Sequence, residues 1–151
     1  MGSKCPVSVV PNAVDVDLFG KAHDQSVLAN LKEQFNKKDG DVFLITTSRL
    51  VVKNAVGDVV SSLALLPSNV KFLILGQGYE ESKLREQVRI LNLEERVKFL
   101  GYVKHKDMPK YLQIADIFIR PSLSEGLGNS FLEAMSAGLP IIGTPVGGIL
   151  D

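Results

Sequence analysis

Apolar positions in this chain fall into short continuous runs, separated by longer stretches in which they recur at helical spacing. In Asp41–Ser48 (DVFLITTS) the six residues between the ends are all apolar or β-branched, which predicts a buried strand. In the AVGDVVSSLALL that follows, Val56, Val59, Val60 and Leu63 recur every three or four positions and predict a helix. The alternation then repeats. Lys71–Gly76 (KFLILG) predicts a strand, and EESKLREQVRIL predicts a helix with Leu84, Val88 and Leu91 on one face. Arg96–Gly101 predicts a short strand, and KDMPKYLQIA a helix that gathers Met108, Tyr111, Leu112 and Ala115, with Asp107 in the N-cap position. DIFIRPS is the next strand, GNSFLEAMSAG the next helix, closed by Gly138, and LPIIGT the last strand. Upstream, DQSVLANLKEQF predicts a further helix after an extended VSVVPN.

Strand–helix alternation of this kind predicts an α/β fold, a Rossmann-like three-layer arrangement of a parallel sheet with helices on both faces. Continuous apolar strands fit a sheet covered on both sides. Ligands of such sheets sit outside the carboxyl ends of the strands, near the point where strand order reverses. Five loops follow strands: Ser48–Lys53, Gly76–Tyr79, Gly101–His105, Pro121–Asn129 and Gly143–Gly148.

Composition narrows the function classes. The 151 residues suit one domain with a real core, and 45% apolar with 23% charged residues excludes a disordered chain. Lys+Arg and Asp+Glu both count 17, so the basic excess expected of a nucleic-acid binder is missing. Cys5 is the only cysteine, which excludes an internal disulfide and a cysteine-cluster metal site. No apolar run reaches membrane-spanning length, and MGSKCPVSVV has no signal-peptide pattern. The expectation is a soluble, cytoplasmic protein.

Two of the loops carry chemistry. In EGLGNSFLE, Gly126 and Gly128 allow close backbone approach, and the helix that starts near Gly128 or Asn129 opens with unpaired N–H groups and a positive dipole end. Arg49 and Lys53 lie in SRLVVK at the same sheet edge. Two cations and a helix N-terminus suit a phosphate or diphosphate. Glu125 and Glu133 would repel such a group and better suit its uncharged flanks. A carboxylate accepts two hydrogen bonds and matches a vicinal diol. Glu125 lies in the loop, and Glu133 about one turn into the helix, roughly 6–8 Å further on. One sugar on either side of a diphosphate is the shape of a nucleotide sugar. Arg120 sits at a strand end, within reach of the ligand or of solvent. His23 and His105 read as exposed loop residues. GLGNSF is not a dinucleotide fingerprint, because the third glycine is missing and the element comes late in the chain.

These residues carry a resemblance. EGLGNSFLE followed by AMSAGLPIIGTPVGG is similar to the donor-binding signature (E-x7-E) of retaining family 4 glycosyltransferases of the GT-B fold. PNAVDVDLF, SRLVVKN, LILGQGYEESKL and RVKFLGYVKHKDMPKYLQIADIFIRPS resemble further landmarks of the C-terminal domain of those enzymes, in the same order, from about Val9 to Asp151. The resemblance implies that Arg49 and Lys53 bind the donor diphosphate, Glu133 the ribose hydroxyls and Glu125 the transferred sugar. It places Gly128, Asn129 and Ser130 against sugar and phosphate, Tyr102 and Val103 beside the base, and Gly76 and Gly78 in a G-x-G turn, with Gln77 and Tyr79 where Asp and Pro are common in the family.

The implied function is donor binding for sugar transfer with retained configuration, with a nucleotide-diphosphate sugar as donor substrate, no tightly bound cofactor and no metal requirement. The resemblance further implies a single nucleotide-sugar-binding domain over 1–151, shortened at its C-terminal end and lacking the N-terminal acceptor domain. Such a domain would be inactive alone, and its exposed sheet edge would favour self-association. In a full-length enzyme a membrane-peripheral position is allowed. A non-enzymatic nucleotide or nucleotide-sugar binding module remains the alternative. An epimerase of the same fold is less favoured, and a dehydrogenase is disfavoured by the missing glycine fingerprint.

Overall fold

The computed structural model describes Ser8, Val10 and residues 12–150. Its strands are β1 (Val42–Thr47), β2 (Val70–Leu75), β3 (Val97–Gly101), β4 (Ile117–Arg120) and β5 (Ile141–Gly143). Its helices are α1 (Val16–Gly20), α2 (Gln25–Gln34), α3 (Val56–Leu63), α4 (Glu81–Ile90), α5 (Met108–Ile114) and α6 (Asn129–Ser136). The strands form one parallel sheet in the order β3-β2-β1-β4-β5, confirming the Rossmann-like α/β architecture.

Side-chain alternation along the strands feeds two cores. Phe43, Ile45, Leu73, Leu75 and Phe118 meet α1, α2, α5 and α6 on one face. Leu44, Phe72 and Ile74 meet α3 and α4 on the other. Burying each of these side chains contributes about 1.5–3 kcal/mol.

Local signals set the helix starts. The Asp24 carboxylate accepts from Ser26 N at 2.8 Å and caps α2. α1, which the periodicity did not predict, is a single short turn whose cap is Asp15, accepting from Leu18 N at 2.9 Å. Asp107 does not cap α5 as expected. Its carboxylate pairs instead with Lys110 at 3.2 Å, and Pro109 fills the first turn, where the missing N–H costs nothing. The extended VSVVPN segment lies mostly outside the described residues.

Pairing is uneven across the sheet. β1 pairs with β2 from Val42–Val70 through Thr47–Leu75, but with β4 only at Leu44–Ile117 and Ile45–Phe118. Beyond Ile45 and Phe118 the two strands diverge and leave a notch at the reversal of strand order. At the β5 edge Ile142 is 48% exposed, and Met135 of α6 is 60% exposed. Among the described residues no helix is long and apolar enough to cross a membrane.

Candidate functional site

The notch opens into a cleft of about 520 Å3 at the carboxyl ends of β1 and β4. Arg49, Lys53, Glu125, Gly128, Asn129, Ser130 and Glu133 all line it. Gly76, Tyr102 and Val103 line an adjoining cavity of about 220 Å3, which shares Thr47, Ser48, Arg49 and Met108 with the first. The expected site residues therefore gather in two connected spaces. A larger groove of about 710 Å3 lies along β3, away from these loops. There Arg85 and Arg89 are already paired with Glu81 and Glu86.

The Arg49 loop is held from below. Ser48 N donates to Leu75 O at 3.0 Å, Leu50 N to Gln77 O at 2.9 Å, and Glu80 N to Leu50 O at 3.0 Å. A Cβ on Gly76 would lie 1.9 Å from Ser48 O, and one on Gly78 2.1 Å from Leu50 O. The G-x-G turn is thus a seat for the Arg49 loop as well as a cavity wall. The Arg49 and Lys53 side chains are exposed, and neither enters an ion pair among the described residues. Leu123 N donates to Lys53 O at 2.8 Å and ties this loop to the one after β4.

Gly128 is the N-cap residue of α6, and no side chain caps this end. Phe131 N donates back to Gly128 O at 2.9 Å, and the amides of Asn129 and Ser130 are left for a ligand, as anion binding requires.

Glu133 is only 8% exposed and apolar Met135 is 60% exposed, the opposite of what their polarity alone would give. The structure reverses the two, because the turn that opens α5 packs over the Glu133 side of α6. His105 Nε2 lies 2.9 Å from Glu133 Oε1, and the imidazole rests edge-on against Phe19 at 5.1 Å between ring centres. His105 lines the cleft, a place that sequence reasoning did not assign to it. Tyr102, by contrast, is 73% exposed and free to meet a ligand.

Arg120 is buried, not solvated. Its guanidinium donates to Ser122 Oγ at 3.1 Å, Ser130 Oγ at 2.6 Å, Asn54 Oδ1 at 3.2 Å and the Glu125 carboxylate. Burial pushes the Arg120 pKa down, and the charge and hydrogen bond of Glu125 oppose that shift. Asn54, 2% exposed, donates in turn to Arg49 O at 2.7 Å.

Among the described residues the hydroxyls of Thr47 and Ser48 have no hydrogen-bond partner, and both residues line the cleft. A buried hydroxyl left unpaired costs about 1–3 kcal/mol, so a polar ligand that pairs with it gains that much. In the sequence Thr47 read only as a β-branched strand residue, which hid its second role. Thr47→Val is expected to leave thermal stability unchanged or raised, while lowering the affinity of the cleft's ligand by roughly 5- to 150-fold. Paired melting and titration curves check both halves of that expectation.

Comparison with known proteins agrees with this fold. The chain is 32% identical over 145 residues to N-acetyl-alpha-D-glucosaminyl L-malate synthase of Bacillus anthracis, covering 95% of this chain and 36% of that protein. It is 26% identical over 139 residues to alpha-monoglucosyldiacylglycerol synthase of Acholeplasma laidlawii, covering 89% of this chain and 35% of that one. The chain thus spans about a third of the length of these relatives. Among solved structures, Anabaena Alr3699/HepE in complex with UDP and glucose superposes with a TM-score of 0.85 at 27% identity, over 95% of this chain and 39% of that one. The profile of the family described as glycosyl transferases group 1 matches residues 29–151, and with most of its length so matched the chain belongs to that family.

Proposed function

We propose that this chain is the donor-binding domain of a retaining glycosyltransferase that takes a nucleotide-diphosphate sugar. The observation that carries the reading is the convergence of Arg49, Lys53, the open N-terminus of α6, Glu125 and Glu133 on one cleft. In this reading the diphosphate lies between the two cations and the α6 amides. Glu133 takes the ribose hydroxyls, Glu125 the transferred sugar, and Tyr102, Val103 and Gly76 flank the base. That HepE was solved with UDP-glucose supports a nucleotide sugar as the ligand.

Charge develops on the departing diphosphate as the glycosidic bond breaks. Arg49, Lys53 and the helix end stabilise it, and the reading calls for no metal ion. The acceptor would be held by a further domain, so this chain alone transfers little or no sugar. The exposed Ile142 and Met135 beside the β5 edge would favour self-association of the isolated chain.

Calorimetric titration with UDP, GDP, ADP and their glucose derivatives, in the presence of a chelator, tests the reading. One diphosphate should bind without metal, and Glu133→Ala should weaken it by about 10-fold or more. Binding of none of them would sink the proposal. Equal affinity for a diphosphate and its sugar derivative would favour a plain nucleotide-binding module.

A further inference from the structure

Arg49 and Lys53 are exposed and available to a phosphate, whereas Arg120 is 8% exposed and already engaged. Its acceptors come from three segments. Asn54 belongs to the loop after β1, Ser122 and Glu125 to the loop after β4, and Ser130 to the first turn of α6. Its guanidinium also lies over the Phe131 ring, 5.6 Å from the centroid. A charge so buried is costly unless it is paired, and a planar fork with five N–H groups can serve several acceptors where an ammonium cannot. Arg120 and Ser122 both reach the same oxygen of Glu125, Oε2. Among the described residues the other oxygen, Oε1, accepts no hydrogen bond.

We propose that Arg120 is a positioning residue: by engaging Glu125 Oε2 it presents Glu125 Oε1 to the sugar of a bound nucleotide sugar. The proposal rests on the reading of Glu125 as the sugar-facing group. In this arrangement Arg120, which also lines the cleft, acts through Glu125 rather than on the ligand. It sets how strongly the sugar is felt, over and above the nucleotide.

The measurement is the ratio of affinities for a nucleoside diphosphate and its glucose derivative, taken with UDP, GDP and ADP. In the unaltered chain the sugar should add roughly 10-fold for the preferred base. Glu125→Gln and Arg120→Lys should each remove most of that increment, and the double variant should lose no more than either alone. The affinity for the bare diphosphate should change by less than about threefold in Arg120→Lys, because backbone bonds to Gln77 and Leu123 still hold the Arg49 loop. Should Arg120→Lys not fold, Ser122→Ala removes one bond of the cluster and should take away about a threefold share of the same increment. A folded variant that keeps the full increment, or losses that add in the double variant, overturns the proposal. So does a diphosphate bound as tightly as its sugar derivative, with the nucleotide site left standing. Absence of any diphosphate binding removes the functional reading and this proposal together.

Discussion

Arg49→Ala is expected to lower the affinity for a nucleoside diphosphate by roughly 10- to 150-fold, the equivalent of about 1.5–3 kcal/mol for a charge-assisted hydrogen bond. The side chain is exposed and has no ion-pair partner among the described residues, so its removal strands no opposite charge. Its backbone carbonyl, not its guanidinium, holds Asn54. Stability should therefore stay within about 0.5 kcal/mol of the unaltered chain. Arg49→Lys should recover only part of the affinity, because an ammonium lacks the fork that meets two phosphate oxygens. The control is the uncharged nucleoside, whose binding should not respond to either substitution. An equal loss for nucleoside and diphosphate would show that Arg49 shapes the cleft without touching phosphate.

Gly76→Ala should be severely disruptive for the addition of a single methyl group. At φ 143° the residue occupies a backbone region that side chains rarely adopt, and the added Cβ would stand 1.9 Å from Ser48 O. The conformational strain alone costs on the order of 1–3 kcal/mol, and the contact with a main-chain carbonyl cannot be relieved by a rotamer change. A total near 3 kcal/mol would lower the melting temperature by roughly 6–12 °C for a chain of this size. The displaced carbonyl belongs to the residue before Arg49, so diphosphate affinity should fall with it. Gly126→Ala is the comparison, since a Cβ there meets nothing within 4 Å. Similar melting temperatures for the two variants would refute the packing argument.

Apart from α1, the succession of strands and helices was plain in the sequence, because each strand is an apolar run and each of the longer helices keeps its apolar stripe at helical spacing. Val42–Thr47 and Val70–Leu75 lie within one residue of their expected runs. The Arg49 loop and the α6 N-terminus were legible because glycine, arginine and lysine beside a strand end have few structural reasons to be there. Other features were hidden because they exist only between segments distant in sequence. Glu133 is buried by a turn belonging to α5, and no periodicity within α6 could show it. Arg120 looked like an ordinary strand-end cation, since its acceptors Asn54 and Ser130 lie 66 and 10 positions away. Thr47 was absorbed by its propensity for strand.

The short ladder between β1 and β4 divides the sheet into two blocks, β1 with β2 and β3, and β4 with β5. A molecule lying in the notch would touch Arg49 and Lys53 on one block and the α6 end and Glu133 on the other. It would act as a rivet through a seam. Each contact then resists the parting of the blocks as well as its own loss, so the occupied domain should open as one unit where the empty one can yield at the seam first.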